Sequence, residues 1–228
     1  MWRLLASAAM FFGACASPAP PLPSPCSDTS CWQRSAQRLD ELRRRWSSSA
    51  PRTLRLAVSL EEERAGRSFS ARGACAVRPP DAFRLQLVGP AGALALDLWV
   101  HGSRARLAIP TVGRVEREPE ALGPGRPTAF LRWWLLSPLD GEIEEATHGD
   151  RWRLRDARGG QVIVEREGDV LRLSRRSGGD QETIEARGGF CGEATYWSAA
   201  AGLRVRVRCE GEGPAPAPRA FLDPDEGS

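Results

Sequence analysis

Apolar and polar residues alternate along most of this chain, the period-two pattern of strands buried on one side. Between 83 and 109 three such runs follow one another. Phe83, Leu85 and Leu87 interleave with Arg84 and Gln86; Leu94, Leu96, Leu98 and Val100 share one face of the next run; Ala105, Leu107 and Ile109 alternate with Arg104 and Arg106. Gly89-Pro90-Ala91-Gly92 and His101-Gly102-Ser103 supply the turns between them. The second run carries Ala93, Ala95 and Asp97 on its other face, so the sheet is expected to need a cover on one side only. Leu54 to Leu60 and Phe69 to Val77 predict two earlier strands, and five strands in up-and-down order curl naturally under sheet twist. Further on, Trp152 and Leu154, Val162 and Val164, Leu171 and Leu173, and Thr183 to Arg187 predict four more. A hairpin around Ser198–Gly202 closes the series, with Leu203, Val205 and Val207 inward. The pattern therefore predicts a mainly β chain, about eleven antiparallel strands in one curved, open barrel with a few helices on its concave side.

Two segments change period. Trp32, Ala36, Leu39, Leu42 and Trp46 recur at helical spacing, predicting an amphipathic helix over Cys31–Trp46 capped by Asp28 or Ser30. Pro127 suits a helix start and Ser137-Pro138 a stop; between them only Arg132 interrupts Phe130, Leu131, Trp133, Trp134, Leu135 and Leu136. A helix that is apolar all round and too short to span a bilayer must be buried. It either plugs the core or lines an apolar cavity. The Gly/Pro/Glu-rich stretch from Pro110 to Arg126 that leads into it is long for a compact domain, and reads as functional or mobile.

Composition narrows the classes. All 32 basic residues are Arg, balanced by 29 acidic ones to a net charge of +3 and interspersed, which excludes a nucleic-acid footprint. Arg43-Arg44-Arg45 reads as a solvated helix face, with contact to anionic lipid as the alternative. At the N-terminus Met1-Trp2-Arg3 precedes an apolar run from Leu4 to Phe12, the layout of a secretory signal, and Gly13-Ala14 then lead into Cys15. Small residues before a Cys resemble a bacterial lipobox, which implies acylation of Cys15; an ordinary signal peptide cut near Ala16 is the alternative. Five further Cys suit an oxidising compartment. If Ser198–Gly202 form the loop, facing residues put Trp197 opposite Leu203 and Cys191 opposite Cys209, predicting a Cys191–Cys209 disulfide. Cys26 can pair with Cys31, or Cys75 with either. His101 and His148 stand apart in turn contexts, and no nucleophile, phosphate-loop or zinc motif is present, so neither an enzyme, a metal site nor a cofactor is expected. Glu142, Glu144 and Glu145 read as a solvated edge.

The order of a lipobox, an amphipathic helix, five strands, an apolar helix and more strands resembles the LolA/LolB-like lipoprotein-localisation family. The likeness is carried by RLQLVGPAGALALDL at 84–98 and FLRWWLLSPLDG at 130–141. It implies an open barrel whose helical lid covers a cavity for acyl chains. By period and type the cavity residues are Leu85, Leu94, Leu96, Leu98, Leu107, Phe130, Trp133 and Trp134. Gly89, Pro90, Ala91 and Gly92 match the LolB loop whose protruding Leu places lipoproteins in the membrane; Ala91 stands at that position. The expected layout is a signal peptide over 1–14, acylated Cys15 and a Pro/Ser-rich tether over 15–30, one domain over 31–210 and a Pro/Ala-rich acidic tail over 211–228. The expected protein is a monomeric lipoprotein of the outer membrane, facing the periplasm. It would bind acyl chains or a lipidated partner; the alternative is a structural lipoprotein with a filled core.

Overall fold

A computed structural model describes residues 21–47, 50–117, 127–137, 139–156, 160–177 and 180–225. Cys15, the 1–14 segment and 118–126 lie outside them. Six strands form a first meander: β1 (Arg52–Glu62), β2 (Arg67–Arg78), β3 (Ala82–Val88), β4 (Leu94–His101), β5 (Arg104–Ile109) and β6 (Arg114–Arg117). Seven form a second: β7 (Glu142–Ala146), β8 (Arg151–Arg155), β9 (Gln161–Glu167), β10 (Val170–Ser177), β11 (Asp180–Arg187), β12 (Glu193–Ser198) and β13 (Leu203–Gly213). β1 pairs with β13, which fuses the two into one antiparallel 13-stranded sheet with β6 and β7 at its edges. The sheet is mainly β, curved and open, as the alternation predicts. The two strands beyond the expected eleven are the edges, β6 inside the expected loop and β7 in the acidic cluster. Both are too short and polar to show a hydrophobic period.

Helix α1 (Thr29–Trp46) is capped by Asp28, whose side chain accepts from the Cys31 amide at 2.8 Å. The cap's carboxyl sits below its ordinary pKa because Ser30 and the Cys31 amide donate to it. α1 buries Leu39, Leu42 and Trp46, and Arg43 donates to the carbonyls of Leu139 and Gly141 rather than standing free in solvent. Trp152 of β8 donates its indole N–H to the Ser35 carbonyl, fixing the helix on the concave side. Helix α2 (Pro127–Leu136) fills the same side between the two edges.

The chain is packed before 31 and after 210. Leu22 is buried, its amide donates to Glu145, and Pro25 bridges Thr147 beside β7. Glu145 also pairs with buried Arg153, and Glu144 with Arg155, so these carboxylates tie down an edge strand instead of forming a solvated one. At the other end β13 runs to Gly213, and a short 3-10 turn, Pro218–Phe221, buries Phe221 while leaving Leu222 exposed. This segment corrects the expectation of a one-sided sheet. Trp99, outward on β4, is only 3% exposed and donates to the Phe221 carbonyl at 3.1 Å. Asp97 on the same face is held by two hydrogen bonds from Arg84. β4 is thus covered on both sides.

Disulfides link Cys26 to Cys31 and Cys191 to Cys209, and Cys75 is free and buried on β2. The second bridge forms in a register one residue away from the expected one. Ser198, not Trp197, opposes Leu203, so Tyr196 faces inward opposite Val205. The reason is the turn: Gly202 takes a positive φ and donates to the Ala199 carbonyl, shortening the loop to Ala199–Gly202. Cys191 then lies just before β12, next to Gly192, whose carbonyl accepts from the Cys209 amide.

Candidate binding site

Of the five strand residues expected to line a cavity, four face the concave side in register. Leu85 opposes Leu98, which opposes Leu107, and all three are buried. Leu96 opposes Leu87 and packs on their edge. α2 supplies the others: Phe130 stacks on Tyr196 with ring centroids 4.6 Å apart and planes 15° apart, and Trp134 meets Trp46 edge-on at 5.5 Å. Trp133 is half-buried, with the Arg175 guanidinium 4.9 Å above its ring. Leu94 does not join them. A bulge at Ala95 pairs it with the outward-facing Val88, which turns it out of the core. In this conformation the space expected to be a cavity is occupied by α2 itself.

One inward cluster escaped the sequence reading. Glu182 of β11 is 1% exposed, yet it accepts hydrogen bonds at 2.8 Å from both the Tyr196 hydroxyl and the Arg175 Nε. Both partners satisfy a carboxylate that would otherwise be costly to bury. Arg175 and Glu182 are cross-strand partners two residues beyond Leu173 and two before Ile184, so extending the inward period by one step finds them. On α2, Arg132 donates to the Gly102 carbonyl at 2.7 Å.

The two His occupy different places. His101 lies 3.3 Å from Asp81 and 3.2 Å from Arg78 at a turn, and His148 touches the Cys26–Cys31 bridge. No group of three or more His, Cys, Asp or Glu suited to a metal occurs among the described residues. No described helix is long and apolar enough to cross a membrane. Cys75, fully buried on the inner face, has its thiol pKa pushed up by desolvation.

This open antiparallel sheet is similar in overall fold to solved structures. A LolA superfamily protein from Nitrosomonas europaea matches over 84% of this chain and 98% of its own, with a TM-score of 0.52 at 9% identity. The fold is a LolA-like open barrel. A domain described as outer membrane lipoprotein-sorting from Vibrio parahaemolyticus (TM-score 0.48, covering 82% of this chain and 94% of its own) and a DUF1329 family protein from Desulfovibrio piger (0.46, 85% and 96%) are also similar, each at 9% identity. No family model and no curated protein matches the sequence. In this LolA-like fold α2 lies in the chain between the edge strands β6 and β7, and the Gly89–Gly92 loop joins β3 to β4 with Gly92 at positive φ.

Proposed function

We propose that this LolA-like protein is an envelope lipoprotein, anchored through acylated Cys15 at the outer membrane, that takes an acyl chain or a lipidated partner against its concave face when α2 withdraws. One observation carries the reading. The concave face is apolar apart from the Arg175–Glu182 pair, and the element covering it is a ten-residue helix apolar on nearly every side. An acyl chain can replace such a helix with little loss of buried apolar area, worth about 25 cal/mol per Å2 on either partner. The half-buried Trp133 favours exchange. The small Ala91 in the β3–β4 loop argues for holding cargo rather than inserting it.

A second reading has its own support. The Phe130–Tyr196 stack and the fully partnered Glu182 suit a permanently filled core, and hence a structural lipoprotein that binds envelope partners from outside. Native mass spectrometry of the Cys15→Ala protein, purified without detergent and then offered a triacylated peptide, separates them. A stoichiometric adduct is expected; a clean apo mass with excess peptide would sink the carrier reading and leave the filled-core one. Membrane fractionation of the wild type, compared with Cys15→Ala, tests the anchor.

A further inference from the structure

The outer face of the sheet carries a groove of about 610 Å3 that runs over β12, β13, β1, β2 and the end of β3. Its floor is small: Ala57 and Ser59 of β1 with Ser70 of β2. Long cations flank that floor in register. Ala57 lies between Arg72 and Arg208, and Ser59 between Ser70 and Arg206. Strands about 4.8 Å apart set the flanking arginines roughly 10 Å from each other at their bases. Val88 and Pro90 form an apolar rim, Val88 being 39% exposed.

Several outward arginines elsewhere in the sheet have a carboxylate partner. Arg151 has Glu165, Arg172 has Glu185, Arg84 has Asp97, and Arg106 and Arg117 share Asp225. At the groove a bulge in β13 leaves Glu210 out of the ladder, where it contacts both Arg72 at 3.2 Å and Arg208 at 3.1 Å. A single carboxylate thus serves two guanidiniums. Arg206 is exposed, and its cross-strand neighbours are Ser59 and Thr195, with no carboxylate in ion-pair contact among the described residues. Three arginines against Glu193 leave the lining cationic.

We propose that this groove seats the phosphate of a phospholipid headgroup at a membrane surface, with Arg206 as the principal cation. The guanidinium fork matches phosphate oxygens, and the hydroxyls of Ser59 and Ser70 add donors on its open side. The rim selects a bilayer over a soluble anion. Val88 and Pro90 beside the cations form the mixed apolar and basic edge that rests at the level of headgroups. The proposal concerns the convex face and stands whether or not the concave face takes an acyl chain.

The test is cosedimentation of the Cys15→Ala protein with vesicles of phosphatidylcholine and phosphatidylglycerol in equal parts, against phosphatidylcholine alone. Partition onto the anionic vesicles is expected, falling as salt rises. Arg206→Ser is expected to lower the partition coefficient about fivefold, the equivalent of ~1 kcal/mol for one Arg near an anionic surface. Arg204→Ser removes the same charge outside the groove, where Glu61 and Glu63 already pair it, and should change partition less than about twofold. Glu193→Gln should raise it. Equal losses for Arg204→Ser and Arg206→Ser, or no loss for Arg206→Ser in a folded protein, would overturn the site. Retention of inorganic phosphate without partition onto either vesicle would assign the groove to a soluble anion and overturn the bilayer seat.

Discussion

Replacing Phe130 by Ala probes whether α2 is as tightly seated as its geometry implies. Phe130 has no exposed surface and stacks on Tyr196, itself fully buried and tied through its hydroxyl to Glu182. Deleting a buried Phe side chain costs about 3–5 kcal/mol, which includes the 0.5–1.5 kcal/mol that a well-formed aromatic pair adds to area burial. For a chain of this size ~4 kcal/mol at roughly 3 °C per kcal/mol lowers Tm by ~12 °C. Phe130→Leu keeps most of the volume and loses chiefly the stack, so its loss should be about a third as large. Urea and thermal unfolding of the Cys15→Ala protein, followed by Trp emission and far-UV circular dichroism in parallel, give both values. The same variant joins stability to function: if the Phe130 ring occupies space that cargo would take, Phe130→Ala binds a triacylated peptide at least as tightly as the parent while being less stable. A fall in Tm below about 3 °C would refute the packed arrangement of α2, because no closed, stacked Phe is so cheap to remove.

Two further outcomes are expected. Replacing Cys191 and Cys209 together by Ser opens a loop closed over 18 residues, and chain entropy puts the loss at ~3 kcal/mol, to be read as a urea midpoint shift against the parent without reductant. The C-terminal segment should loosen only in acid. The Asp225 carboxyl is held below its ordinary pKa first by the hydrogen bond from Arg117 and then by the field of Arg106, so its contribution is complete above the unfolded value near 3.9 and disappears as pH falls through the lower folded value. Trp99, whose indole bonds the Phe221 carbonyl, reports this by emission; a transition between pH 5 and 7 would refute the assignment, and Asp225→Asn should bring the loosened emission to neutral pH.

Alternation found the strands that bury one face, because each such face writes its own period into the sequence. It missed β6 and β7, where Arg-Val-Glu-Arg and Glu-Ile-Glu-Glu-Ala hold an edge through ion pairs and the bound Leu22 segment rather than through a hydrophobic face. The burial of outward Trp99 does not show in the period, because its cover, Phe221, lies 122 residues away. The hairpin register slipped because a five-residue loop at Ser198–Gly202 and a four-residue loop at Ala199–Gly202 fit the sequence equally well until Gly202 adopts its positive φ. The concave residues were legible from period and type; whether helix or ligand fills the space beside them was not. The outer groove was invisible for another reason. Arg72 and Arg206 become neighbours of Ala57 and Ser59 only through pairings of β1 with both β2 and the distant β13.

The β1–β13 ladder has a consequence for how the molecule is made. Thr53 aligns with Gly213 and Glu62 with Leu203, so β1, already paired with β2, finds its second partner only when β13 has arrived. Until then each meander exposes a long unpaired edge at what becomes the centre of the sheet, and α1 waits for Trp152. Such non-local closure makes for slow folding, with raw strand edges open to wrong partners in the meantime. A chain exported N-terminus first would cross its membrane with nearly every residue through before the seam can zip. Any stop before β13 leaves two half-sheets rather than a smaller barrel.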